Sequence, residues 1–163
     1  MNKLTDALER IIAWRRKYKP TEHQILKPGL STEQLYEKLK RFPNQLPQEI
    51  YALYQWHNGT NDDLWRHGLF VYHSFLDIDN ALQYAERLIN RESERNYRMQ
   101  QGKPSYLFPF CDFQGEYFAV AGRETVTKST PVFLIDTVGE VSTAFDSLTN
   151  MMIALAECYE SGI

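Results

Sequence analysis

Residues 106–121 read YLFPFCDFQGEYFAVA, two runs of aromatic and apolar side chains on either side of a Gln-Gly pair. Such runs around a glycine-containing turn are typical of a β-hairpin. We therefore expect strands at Tyr106–Cys111 and Glu116–Ala121, joined at Gln114-Gly115. The same sheet is expected to contain two further strands: Leu69–Tyr72, within the aromatic run 64–73, and Val132–Ile135.

Five segments show helical spacing or the residues that begin and end helices. Leu4, Leu8 and Ile11 recur on one face of a helix predicted over residues 3–17. A loop over residues 20–29 follows, and then Ser31 is expected to cap a second helix. The other three predicted helices run from Leu46-Pro47 to Asn58-Gly59, from Asp77 or Asp79 onward, and from near Asp146 or Ser147 onward.

Helices thus lead the chain, strands occupy its middle and one helix ends it. This order predicts an α+β fold with a mainly antiparallel sheet, on which the N-terminal helices and a C-terminal helix pack. A repeated βαβ unit is not indicated. Since no internal repeat, low-complexity tract or linker is visible, we expect a single domain over residues 1–163.

The chain has 163 residues, with 18 Lys and Arg against 21 Asp and Glu, which gives a net charge of −3. Residues 1–45 hold ten basic and five acidic residues, a balance of +5, and residues 46–163 hold eight and sixteen, a balance of −8. The basic residues lie near predicted helix ends, where cations complement the helix dipole. This favours solvated helix ends over a nucleic-acid site, and the acidic remainder suits a basic protein partner.

The sequence shows no sign of export or of a membrane span. Two cysteines, Cys111 and Cys158, are too few for a disulfide framework and are typical of a reducing compartment. The N-terminal residues lack an apolar segment with a cleavage pattern, and the longest apolar stretches are too short to cross a bilayer. We therefore expect a cytoplasmic protein that makes no membrane contact.

No pattern typical of catalysis is found. Cys111 lies in an aromatic strand, where a buried thiol is poorly reactive, and the glycines form no phosphate-binding loop. A hydrolase that uses Asp62 and Asp63 with a histidine is the least favoured alternative, since adjacent acids in a polar stretch are normally solvated. We expect no cofactor and no metal site, because no spacing makes metal ligands converge among the four histidines, His23, His57, His67 and His73.

Three segments in order resemble the SUKH superfamily, also described as Smi/Knr-like. The first is LPQEIYALYQWHNG at residues 46–59, similar to a family helix that opens with Leu-Pro and closes with Asn-Gly. The second, LFPFCDFQGEYF at 107–118, resembles the family hairpin. PVF at 131–133 and AFDSL at 144–148 resemble its closing strand and final helix. The resemblance spans about residues 31–160, and departs from the family in a long polar insertion at 90–103 and in residues 1–30, a candidate N-terminal extension.

The resemblance implies a Smi/Knr-type fold and a non-enzymatic protein-binding domain. The superfamily groups immunity proteins that neutralise bacterial toxins with fungal regulators of cell-wall assembly. We therefore predict an immunity-type protein whose partner is another protein, such as a basic toxin domain, with the oligomeric state left open. The alternative is an intracellular regulatory or scaffold module that binds host proteins.

A binding face can be predicted from aromatic residues that are flanked by polar ones, together with acidic residues. Aromatic side chains at such positions serve as interface anchors, although ordinary packing is the alternative for each of them. The predicted partner-binding residues are Trp56, Asp62, Asp63, Trp65, Tyr72, Glu116 and Glu124.

Overall fold

The computed structural model describes residues 2–19, 26–60, 68–95 and 106–162, without the side chains of residues 92–95. Five helices and seven strands lie in these ranges. In chain order they are α1 (Lys3–Tyr18), β1 (Leu26–Pro28), α2 (Thr32–Leu39), α3 (Gln48–Trp56), β2 (His57–Thr60), β3 (Ser74–Phe75), α4 (Ile78–Arg95), β4 (Leu107–Phe113), β5 (Glu116–Ala121), β6 (Val132–Ile135), β7 (Val141–Phe145) and α5 (Leu148–Glu160).

The main sheet has five strands in the order β3-β4-β5-β6-β7, so every strand pairs with its neighbour in sequence. All four pairings are antiparallel. A second, two-stranded sheet pairs β1 with β2, also antiparallel. The α+β prediction with a mainly antiparallel sheet is confirmed, and so are the hairpin of β4 and β5 and the strand Val132–Ile135.

Helix α1 packs against α5, and α4 packs against β4. The apolar face of α1 is fully buried at Leu4, Leu8, Ile11 and Ile12, and it joins the same core as the aromatic side chains of β4. A basic residue, Arg15, continues this buried face at the end of the stripe. Among the helices of the described ranges, none combines the length and the apolar character that a membrane span requires.

Local sequence signals account for several helix ends. Ser31 accepts from the N–H of Gln34 at 3.2 Å while the Gln34 side chain accepts from the N–H of Ser31, which is the predicted capping box. Asp77 accepts from the N–H of Asn80 at the start of α4, and Ser147 caps α5. These signals were readable because each involves residues only three positions apart.

The predicted strand at Leu69–Tyr72 is wrong. Phe70 and His73 pair through both of their backbone N–H groups, at 3.1 and 3.2 Å, so the chain reverses at Val71-Tyr72 and the strand of this region is Ser74–Phe75 instead. Residues 64–67 of the predicted run lie outside the described ranges. We call residues 69–73 the 69–73 turn below.

Other segments also differ from prediction. Helix α3 ends at Trp56, two residues before the expected Asn58-Gly59 end, because the chain continues as β2. Gly59 uses its positive φ of 72° within that strand, where a Cβ atom would lie 2.4 Å from the backbone N of Asp77. The predicted loop over 20–29 contains β1 in its described part.

Candidate functional site

The 69–73 turn holds an unusual backbone conformation and displays apolar side chains. Val71 has a φ of 63°, in the left-handed region that β-branched residues rarely adopt. Val71 is 43% exposed, and Tyr72 beside it is 71% exposed. Leu69 and Phe70 are buried, so the turn is anchored on one side and presented to solvent on the other.

Two side chains from distant helices hold this turn in place. The hydroxyl of Tyr159, on α5, accepts from the N–H of Val71 at 2.9 Å and donates to the carbonyl of Leu69 at 3.0 Å. Arg15, on α1, donates to the Tyr159 hydroxyl at 3.1 Å and to the carbonyl of Gly68. All hydrogen-bonding positions of the Tyr159 hydroxyl are therefore occupied. This network stabilises a backbone geometry that costs on the order of 1–3 kcal/mol by itself.

Aromatic rings extend the exposed surface on both sides of the turn. Trp14 lies 4.8 Å from the Tyr159 ring and 5.0 Å from Tyr18, which is 58% exposed. On the other side Tyr72 lies 5.8 Å from Phe113 at the tip of the β4–β5 hairpin. We call these side chains the aromatic surface; its members are Trp14, Tyr18, Val71, Tyr72 and Phe113.

The carboxylates beside the hairpin tip, those of Asp112 and Glu116, both make contacts within the protein. Glu116 Oε1 lies 3.0 Å from Nε2 of His73, which is itself buried. Burial lowers the pKa of His73, and the neighbouring Glu116 opposes that shift. Asp112 accepts from the N–H of Gly115 at 3.0 Å, and its partial burial raises its pKa. This end of the surface is therefore acidic, with its charges close to a titratable imidazole.

The structure brings together some of the predicted binding residues and separates others. Tyr72 and Glu116 both adjoin the hairpin tip, Tyr72 through Phe113 and Glu116 through His73. Glu124 lies beyond the other end of β5, which spans roughly 16 Å at the usual rise per residue, so it is not part of the same face. Trp56 is half-buried, donates from its indole to Glu9 at 2.8 Å, and stacks on buried Phe75. The remaining three, Asp62, Asp63 and Trp65, lie outside the described residues.

Cys111 and His57, which were considered for catalysis and metal binding, lie in the core and in the small sheet. Cys111 is fully buried and its pKa is raised well above the ordinary value by that burial. His57 Nδ1 lies 2.9 Å from the carbonyl oxygen of Lys27, in the small sheet. Within the ranges that the structure describes, no three His, Cys, Asp or Glu side chains lie close enough to hold a metal ion.

A polar cavity of about 690 Å³ lies where α1, α3 and α5 begin. Several helix-end groups around it are already hydrogen-bonded. Asn2 caps α1, Ser147 caps α5, and the carboxylate of Glu49 accepts from the N–H groups of Leu148 and Thr149, at 3.3 and 2.8 Å. Glu49 thus brings a carboxylate to a cavity that Lys3 and Lys128 also line. We interpret the cavity as the junction of three helix ends.

Arg15 and Tyr159 are the important residues that the sequence-based prediction missed. Arg15 is one of the basic residues near a helix end for which the sequence favours a solvated position, yet it is 5% exposed. A signal was present, since Arg15 lies three and four residues after Ile12 and Ile11 and so continues the apolar stripe. Only the fold could show that its partners are Gly68 and Tyr159.

Together these features define the class: an α+β domain with a five-stranded antiparallel sheet, packed helices and an exposed aromatic surface. The model of the SMI1 / KNR4 family (SUKH-1) matches residues 29–153, and the chain belongs to that family. The predicted superfamily resemblance is thereby confirmed. Membership supports a non-catalytic domain of the immunity or regulator type. No curated protein matches the chain.

The matched range begins after α1. That helix nevertheless buries its apolar face against α5 and supplies Arg15 to the 69–73 turn. An N-terminal segment outside the family match thus contributes both to the core and to the aromatic surface.

Proposed function

We propose that this chain is an immunity-type protein that binds a toxin domain and blocks it by covering it. The 69–73 turn is the observation that carries the proposal, since it holds Val71 in a costly backbone conformation while Tyr72 stays 71% exposed. Strained, exposed apolar residues concentrate where proteins bind partners. The family assignment supports the same class of function.

The aromatic surface suits steric blockade. Tyr72 and Phe113 supply contact area with few rotatable bonds, so little entropy is lost when they are covered. A preorganised aromatic anchor of this kind sets the lifetime of a complex. Acidic residues around it raise the rate of encounter with a basic partner.

Asp62, Asp63 and Trp65 belong to this proposal by their place in the sequence. They lie shortly before Gly68, the first residue of the described segment that leads into the turn. We propose that the two acids steer a basic toxin domain towards the aromatic surface and that Trp65 adds a second aromatic anchor. The complex is proposed to form in the cytoplasm.

Capture of partners from the native organism, followed by mass spectrometry, tests the function. The expected result is a toxin domain as the enriched protein. Enrichment of host regulatory proteins without any toxin would favour the alternative, a regulatory or scaffold module.

Binding kinetics with the captured toxin test the surface. Tyr72→Ala is expected to raise the dissociation rate at least about tenfold, the effect of losing an interface anchor. Tyr36→Ala is the matched control, because Tyr36 is a tyrosine with 58% exposure on α2. Equal rates for the two variants would place the interface elsewhere.

Charge reversal tests the steering separately. Asp62→Lys combined with Asp63→Lys is expected to slow association and to flatten its salt dependence, with the dissociation rate little changed. An association rate that responds to salt as in the native protein would remove these two acids from the proposal.

A further inference from the structure

The last strand of the main sheet has an open edge. β7 pairs with β6 on one side, and in the described part of the chain no strand pairs with it on the other. Its central residues Ser142, Thr143 and Ala144 are exposed to solvent. This edge lies at the opposite end of the sheet from β3 and the 69–73 turn.

The pairing pattern shows which backbone groups face outward. The N–H of Asp136 donates to the carbonyl of Glu140 at 3.0 Å, which sets the hydrogen-bonded register where β6 turns into β7; the N–H of Glu140 donates to the Asp136 carboxylate. Hydrogen-bonded and non-bonded pairs alternate along antiparallel strands. Ser142 therefore bonds back to β6, opposite Leu134, while Val141 and Thr143 direct their N–H and C=O groups away from the sheet.

A bulge limits the regular part of this edge. Phe133 pairs with Thr143 and Val132 with Phe145, which leaves Ala144 as an extra residue in β7. Up to the bulge, β7 has neither lysine nor proline, the residues that commonly protect an edge strand from further pairing. The edge can thus accept a short extended segment alongside Val141–Thr143.

Acidic residues flank this edge at both ends. Glu140 precedes β7 and Asp146 follows it, both exposed. A second copy of this chain, paired antiparallel through β7, would bring its own Glu140 and Asp146 to the same two ends, which like charges disfavour. A segment with a basic residue at each end is the complementary occupant.

We propose that β7 binds an extended segment of a partner protein as a sixth strand, antiparallel to β7 and basic at both ends. Backbone hydrogen bonds to Val141 and Thr143 would provide the affinity, and the acidic flanks would select the segment. This surface is separate from the aromatic surface and requires no residue of it.

The probe is a synthetic hexapeptide of alternating threonine and valine with a lysine at each end. The titration is followed by NMR. Binding is expected to slow amide exchange at Val141 and Thr143, and to leave the exchange rate of Ser142 unchanged because that residue already bonds to β6. The same peptide with a glutamate at each end is expected to bind about tenfold more weakly, because opposite charges are replaced by like charges at both ends. Unchanged exchange at Val141 and Thr143 under saturating peptide, or equal affinity for the two peptides, would overturn the proposal.

A backbone variant gives an independent test. Thr143→Pro removes an outward N–H that β6 does not use, and should weaken peptide binding at least about tenfold. Thr143→Ala keeps that N–H and should bind within about twofold of the native protein. Should Thr143→Pro fail to fold, the amide-exchange measurement on the native chain decides the question.

Two further outcomes separate this proposal from others. Tyr72→Ala is expected to bind the peptide like the native protein. A negative result for partner binding at the aromatic surface would therefore leave the β7 proposal unaffected, and a negative result with the peptide would leave the proposed function unaffected. Sedimentation that shows a native dimer, converted to monomer by Thr143→Pro, would identify the occupant as a second copy and overturn the proposal.

Discussion

Replacing Tyr159 with phenylalanine isolates the hydroxyl that holds the 69–73 turn. The ring remains, and with it the packing against Trp14 at 4.8 Å and the position of the Arg15 guanidinium 5.5 Å from the ring centre. Three hydrogen bonds are lost, from Val71, to Leu69 and from Arg15. The Leu69 carbonyl belongs to a buried residue, so losing its partner carries a desolvation penalty of about 1–3 kcal/mol.

We therefore expect Tyr159→Phe to lower the free energy of unfolding by about 2 kcal/mol. The lost bond to Val71 adds little to this figure, because Val71 is partly exposed and its N–H can donate to water instead. For a chain of this length the melting temperature should fall by roughly 4–8 °C. Urea denaturation followed by circular dichroism measures the free energy, and amide exchange of Val71 reports on the turn. Tyr36→Phe is the control, because that ring is 58% exposed and its loss of a hydroxyl should change stability by less than about 0.5 kcal/mol.

The reasoning fails if Tyr159→Phe costs under about 0.5 kcal/mol, the level of a surface substitution. It also fails if the Val71 amide exchanges as slowly as in the native protein, because the hydroxyl would then not be its essential acceptor. A large loss of stability with an unchanged Val71 amide would place the role of the hydroxyl at Leu69 and Arg15 alone.

Three other substitutions or conditions are predicted from the structure. Val71→Gly should leave stability unchanged or raise it by up to about 1 kcal/mol in urea denaturation, because glycine adopts a φ of 63° without strain; a loss above about 1 kcal/mol would show that the valine side chain is needed in the fold. Leu53→Ala should cost about 2–5 kcal/mol by the same measurement, since Leu53 is completely buried; a loss under about 0.5 kcal/mol would contradict its place in the core. Because the pKa of His73 is lowered on folding, the unfolded chain binds its proton first, and stability should fall as the pH drops below about 6.5. The raised pKa of Asp112 has the opposite effect on stability, at lower pH. Between about pH 7 and 5, the denaturation midpoint of the native protein should fall with pH, and that of His73→Gln should not. An equal pH dependence of the midpoint in both proteins would show that His73 is not its source.

Elements fixed by neighbours in sequence were predictable. The capping box at Ser31, the hairpin turn at Gln114-Gly115 and the strand Val132–Ile135 each depend on residues a few positions apart, and all three were placed correctly. The apolar stripe of α1 was equally readable, since helical spacing shows which face is buried.

The 69–73 turn was not predictable because distant residues determine it. Aromatic and β-branched residues over 64–73 favour a strand, and neither Val71 nor Tyr72, where the chain reverses, is a residue type typical of turns. The reversal is stabilised by Tyr159 and Arg15, which lie 88 and 53 residues away from their partners Val71 and Gly68. Tertiary contacts here override the local preference of the chain.

Two of the predicted site residues are separated in the fold for a related reason. Glu116 and Glu124 are close in sequence, but β5 extends between them and places them at opposite ends of the strand. Trp56, predicted as a binding residue, donates instead to Glu9, and this hydrogen bond joins α3 to α1 and could not be read from either segment alone. The sequence predicted a binding face of acidic and aromatic residues. Which of these residues lie on one face depends on the sheet.

The two proposed surfaces lie at opposite edges of one sheet. Four strand spacings separate β3 from β7, about 19 Å, so a single partner would have to wrap around the sheet to occupy both. The two surfaces have no residue in common, and strands β5 and β6 lie between them. A partner on the aromatic surface and a basic segment on β7 should therefore bind independently, and each affinity should be the same whether or not the other site is filled.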